Sequence, residues 1–137
     1  MTQINAYINF PGNTREAMTF YKECLGGELE IMPFEGSAME SHMPPEAKQN
    51  VLHSMLTNGA IRLMASDMVS ADSLTSGNNI SLMLDCSSEE EINRFYTALS
   101  AGGDADHPVQ PAFWGGLFGH LTDKFGIQWL LNCSPQA

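Results

Sequence analysis

Two stretches of this chain answer each other, and that repeat limits the fold more than any other feature. Thr14-Arg15-Glu16-Ala17-Met18-Thr19-Phe20-Tyr21, followed by Gly26-Gly27, is matched by Glu89-Glu90-Glu91-Ile92-Asn93-Arg94-Phe95-Tyr96, followed by Gly102-Gly103. In the first stretch Ala17, Phe20, Tyr21, Cys24 and Leu25 fall on one face of a helix. In the second, Ile92, Phe95, Tyr96 and Leu99 do the same. The glycine pairs stop both helices. Each helix follows an alternating, strand-like run, Ile4 to Phe10 in one half and Asn79 to Leu84 in the other. Three further strand-like runs come after each helix. The pattern predicts an α+β fold of two βαβββ modules, at about 1–67 and 78–134, within a single domain of 137 residues. Neither module holds enough core alone, so the two must pair, within a chain or between two.

The remaining elements of the first half are read the same way. Asn13 or Thr14 can cap the first helix, and Ser87 or Ser88 the second, whose opening Glu89, Glu90 and Glu91 suit the helix dipole. Glu28 to Phe34 reads as a strand. Glu35 to Gln49 is a long loop of the kind that is mobile or functional in a small domain. Asn50 to Thr57 and Ala60 to Ser66 form a hairpin turned by Asn58-Gly59. Asp67 to Asn78 lacks periodicity and reads as a connector.

In the second half a strand runs near Ala105 to Gln110, and the chain closes on Phe113 to Asn132. There LFGHL and IQWLL flank Thr122-Asp123-Lys124-Phe125-Gly126, which predicts a hairpin with Gly126 at positive φ. Trp114 and Gly115-Gly116 precede it. A bulky indole beside bare backbone suits either close packing or a surface that something approaches closely. FWGGLFGHLTDKFGIQWLLN and YINFPGNTREAMTFYKECLGGEL together resemble the PhnB-like branch of the vicinal-oxygen-chelate (glyoxalase/bleomycin-resistance/dioxygenase) superfamily, over about Ile4 to Cys133. The resemblance implies sheets curled around a cavity, commonly in a homodimer. It also implies a divalent-metal site with His, Gln or Glu ligands on the first and last strands of each module.

Carried onto this chain, those ligand positions fall on Ala6, on Arg62 or Met64, on Asn79 and on Leu130. None is His, Glu or Asp, and the neighbours Tyr7, Leu63, Ile80 and Leu131 supply no carboxylate. The inherited metal site is therefore expected to be absent, with no metal and no cofactor assigned. A different site from His53 and His120 with Asp67 or Asp123 is the alternative, whereas His42 and His107 read as surface residues in loops. Relatives of this kind have been labelled demethylubiquinone methyltransferases, yet nothing here resembles the Gly-rich adenosylmethionine loop of Rossmann-type methyltransferases. GxSxG, GxGxxG and P-loop patterns are missing as well.

Charge and cysteines narrow the partners. Six Lys and Arg against sixteen Asp and Glu give a net charge of −10, which repels phosphate backbones and anionic membranes. Cys24, Cys86 and Cys133 show no CxxC spacing and suit a reducing cytoplasm. No signal-peptide pattern or spanning apolar run appears, so a soluble cytoplasmic protein is expected.

The positive signal is for a pocket. Gln128, Leu130 and Asn132 share one strand face, and Asn79, Ser81 and Met83 another, while Ile80, Leu82 and Leu84 would meet the helix. Met55, Met64 and Met83 could form an adaptable wall, with Trp114 as lid, floor or dimer seam. The expected ligand-binding residues are His53, Met64, Asn79, Ser81, Trp114, His120 and Gln128, for a small molecule of unknown identity in a homodimer. Two readings stand side by side: a metal-free binding protein, and a divalent-metal lyase, isomerase or dioxygenase drawing ligands from His53, His120 or Asp67.

Overall fold

The computed structural model describes residues 1–68 and 71–135. Val69 and Ser70 of the connector lie outside the described residues. The chain divides into two units, Met1–Thr75 and Ser76–Ala137.

In the first unit β1 (Ala6–Phe10) leads into α1 (Thr14–Leu25), then β2 (Glu28–Pro33), β3 (Val51–Asn58) and β4 (Ile61–Asp67). The sheet order is β1-β4-β3-β2, with β1 parallel to β4 and the other pairs antiparallel. The second unit repeats this with β5 (Leu82–Cys86), α2 (Glu89–Ser100), β6 (Asp104–Pro111), β7 (Leu117–Thr122) and β8 (Gln128–Cys133), in the order β5-β8-β7-β6. The α+β fold of two βαβββ modules read from the sequence is thus present.

Each sheet buries one face under its own helix. Leu56, Leu63 and Ala65 meet the α1 side, where Ala17, Met18 and Tyr21 are sealed from solvent. Leu121, Trp129 and Leu131 do the same beneath Ile92, Phe95 and Leu99 of α2. Alternation along each strand leaves the opposite face of each sheet open within its unit.

The glycine pairs explain how helix joins sheet. Gly26 and Gly102 have nearly the same positive φ, 78° and 77°. A Cβ on Gly27 would overlap the Thr57 carbonyl, and one on Gly103 the Thr122 carbonyl. Thr57 pairs with Glu28, and Thr122 with Asp104, so the two modules match down to this backbone crossing. Gly115-Gly116 has a similar cause. A Cβ on Gly116 would overlap the Cys133 carbonyl, so this pair serves close packing of the hairpin on β8.

Several local expectations change. The second module's first strand begins at Leu82, not Asn79, and Ile80 is exposed at 75 % instead of meeting the helix. The side chain of Asn13 makes no cap hydrogen bond; the Thr14 N–H at the start of α1 donates instead to Asp67 Oδ1 at 2.9 Å. Ser88 does cap α2, accepting from the Glu91 N–H, while Glu91 accepts from the Ser87 N–H. The loop after β2 is pinned by the Phe34 N–H to the Asn50 carbonyl and the Glu35 N–H to the Lys48 carbonyl. It contains two 3₁₀ turns and buries Met43.

Candidate functional site

The open face of the first sheet carries a row of successive strand partners: Glu30 on β2, Met55 on β3, Met64 on β4 and Tyr7 on β1. The Tyr7 hydroxyl lies 3.3 Å from His53 Nδ1, with the two rings 5.8 Å apart. Of the residues expected from the sequence, His53 and Met64 therefore share this face. Tyr7 was missed, although the same alternation that exposes Met64 also exposes it.

The equivalent row on the second sheet is His107 on β6, His120 on β7, Leu130 on β8 and Met83 on β5. Beside it Phe118 faces Gln110 and Asn132, and the Asn132 amide donates to Asp85 at 3.1 Å. Gln128 lies at the other end of this face, opposite Thr122. Trp114 sits on the tip of the β6–β7 hairpin, packed edge-on against Phe113 at 4.7 Å and Phe118 at 5.5 Å. More than half of it, 54 %, remains exposed. Asn79 and Ser81 lie outside β5, so the structure does not place them with these residues as strand neighbours.

The inherited metal positions do not fit a metal. Ala6, paired with Leu63, lies on the helix-covered face and leaves Tyr7 at the open one; Met64 offers a thioether, Arg62 a cation and Leu130 an isobutyl group, while Asn79 precedes the strand. The substitute carboxylates are also engaged. Asp67 accepts from the Thr14 and Val51 N–H groups, one on each oxygen. Asp123, 3 % exposed, accepts from the Phe125 and Ile127 N–H groups and from Trp129 Nε1. Both tie backbone segments together, and among the described residues neither gathers with His53 or His120 into a set of metal-ligating atoms.

His120 has a different carboxylate beside it. Its Nδ1 lies 3.1 and 3.2 Å from the two oxygens of Asp106, and His107 Nδ1 lies 3.4 Å from Asp106 Oδ2. The imidazole rings meet edge to face at 5.6 Å. Partial burial works to raise the Asp106 carboxyl, but its hydrogen bond to His120 and the charges of His120 and His107 outweigh this and lower it. Below the sheet, the Tyr96 hydroxyl donates to the His120 carbonyl at 3.0 Å. Burial first, and then the Asp106 charge, push that hydroxyl's pKa up, keeping it a donor. Gly119 admits the Tyr96 ring, since a Cβ there would stand 3.2 Å from it. His107, expected in a loop, is on strand β6, and Asp106 was not singled out at all.

Two βαβββ modules with this strand order define the class: the fold is that of glyoxalase/bleomycin-resistance/dioxygenase proteins, which solved members share with this chain. The chain belongs to the PhnB-like family whose model, described as 3-demethylubiquinone-9 3-methyltransferase, matches residues 2–132. It is similar to protein PA1353 from Pseudomonas aeruginosa, with 37 % identity and a TM-score of 0.86 over 99 % of this chain and 100 % of the other. A PhnB protein from Bacillus cereus, described as a putative 3-demethylubiquinone-9 3-methyltransferase, is 26 % identical with a TM-score of 0.76, over 97 % of this chain and 100 % of that one. Protein YjdN of Escherichia coli K12 is 30 % identical over 97 % of this chain and 96 % of its own length. Among the described residues no helix is long and apolar enough to cross a membrane.

Proposed function

We propose that this chain is a homodimeric small-molecule binding protein whose pocket uses no metal at the superfamily's inherited positions. The observation that carries the reading is the composition of the two open sheet faces. Tyr7, Met55 and Met64 line one, and Met83, Phe118 and Leu130 the other, each with a few polar groups such as His53, Gln128 and Asn132. Apolar surface interrupted by sparse polar groups is the usual lining of a small-molecule site. Tyr7, Met32 and Met83 are about half exposed within the chain, surface that a second copy or a ligand would cover. A domain of this kind acts in the cytoplasm on an uncharged or cationic organic molecule, since the net charge of −10 disfavours anions.

The test is a melting-temperature screen of organic ligands with chelator present throughout, together with light scattering. Ligands that raise the melting temperature in chelator, and a mass about twice the 15.0 kDa chain, are expected. A monomer that no compound stabilises would overturn the reading.

A further inference from the structure

We propose that Asp106, His107 and His120 form a binding site for a divalent first-row transition ion, with Zn²⁺ the best fit, on the open face of the second sheet. The site is separate from the superfamily positions, which fall on β1, β4 and β8 and ahead of β5, and it does not depend on whether the sheet faces bind an organic ligand.

The first argument is geometric. Each residue offers one ligand atom, and the three atoms lie within 4.8 Å of one another. A four-coordinate Zn²⁺ with bonds of about 2.0–2.1 Å holds neighbouring ligand atoms roughly 3.4 Å apart. Measured from the single oxygen Oδ2 of Asp106, the separations from His120 Nδ1 and His107 Nδ1, 3.2 and 3.4 Å, are already close to that spacing. The remaining pair would close by a small rotation of His107, whose side chain is 68 % exposed on edge strand β6.

The second argument is how the backbone brings the ligands together. Successive residues of a regular strand point to opposite faces, so Asp106 and His107 would ordinarily diverge. Strand β6 is irregular on both sides of His107. Asp104 pairs with Thr122, His107 with His120 and Gln110 with Phe118, so β6 twice spends three residues against two on β7. Such bulges re-aim side chains, and here they turn Asp106 and His107 toward the same imidazole. Pro108, which has no N–H to donate, sits where the ladder is interrupted. Among the described residues the first module carries no such set, because its equivalent row has Glu30 and Met55 in place of the two histidines.

The third argument is chemical. Two imidazoles and a carboxylate suit Zn²⁺ and its first-row neighbours, and poorly suit Mg²⁺ or Ca²⁺, which prefer all-oxygen sites. Tyr96 fixes the backbone of His120 from the helix side, and β7 is an interior strand, so one ligand is held rigidly while the other two approach from the edge. Three protein ligands leave an open position for water or a ligand oxygen on the same face as Leu130 and Phe118.

The experiment uses the full chain stripped with chelator and then dialysed. Calorimetric titration with ZnCl₂ should show one ion per chain at micromolar protein, while MgCl₂ gives no heat of binding. His107→Ala and Asp106→Asn should each weaken Zn²⁺ by at least about ten-fold, and His42→Ala should leave it unchanged. Co²⁺ should give visible absorption bands of a low-coordinate ion, lost in both variants. His107 is exposed, so its replacement leaves the fold intact, as far-ultraviolet circular dichroism will check; His107→Gln provides a second variant. Zn²⁺ binding no tighter than Mg²⁺ would overturn the proposal. So would binding that survives both His107→Ala and Asp106→Asn, since the ion would then sit elsewhere and the three side chains would be only a hydrogen-bonded cluster.

Discussion

Asp123 is the buried group whose removal should be most informative. Its Oδ2 accepts from Trp129 Nε1 at 2.8 Å, and its Oδ1 from the Phe125 and Ile127 N–H groups at 2.8 and 3.1 Å. Asp123→Asn keeps the shape and one carbonyl oxygen, which can still serve both backbone donors. The amide nitrogen then faces the indole N–H, donor against donor, and the Trp129 bond is lost. A hydrogen bond to a charged group contributes about 1.5–3 kcal/mol, and Trp129 is only 2 % exposed, so water cannot replace it. Trp129→Phe removes the same bond from the other side, with a further loss of packing. In the Trp129→Phe background Asp123→Asn should therefore cost less, with a coupling energy of about 1.5–3 kcal/mol. Equilibrium urea unfolding of the wild type, both single variants and the double variant measures it. Additive losses, with coupling below about 0.5 kcal/mol, would refute the assignment of Asp123 as the group that ties Trp129 to its turn.

Other consequences follow from the same structure. Gly103→Ala should cost at least about 2 kcal/mol, because the new Cβ meets the Thr122 carbonyl, while Gly126→Ala, at φ 87° in open space, should cost about 1 kcal/mol; thermal melts will rank the two. Trp114→Ala should change stability by less than about 1 kcal/mol yet weaken ligand binding or dimerisation, and unchanged binding and mass would remove Trp114 from the site. The Cys86 thiol is pushed from its ordinary 9.0 up to about 12 by burial first, and then by Glu91, Cys133 and Asp85. The folded state thus holds that proton more tightly than the unfolded chain, so its contribution is complete below pH 9 and is lost as pH rises from 9 toward 12. Thiol-reagent kinetics should accordingly show Cys86 reacting slowly in native protein at pH 8, and rapid labelling there would contradict it.

Much of the architecture was legible because it depends on local, periodic signals. The apolar stripes of α1 and α2, the turn at Asn58-Gly59 and the positive φ of Gly126 need only nearby residues to be read. The repeat then gave the number and order of modules, since two stretches with the same period need the same partners. Side-chain alternation likewise placed Gln128, Leu130 and Asn132 on one strand face, and β8 keeps that alternation.

The tertiary structure decided what depends on register and on residues distant in the chain. No local pattern says that Asp67 will replace Asn13 at the start of α1, because the two are brought together only by the parallel pairing of β1 with β4. Nor does any pattern say that Asp123 will turn inward to accept from Trp129. Asp106 and His107 look like two exposed neighbours of alternating direction. Their convergence on His120 requires the bulges in β6, and a bulge arises from how two strands fit each other, which neither strand's sequence specifies alone.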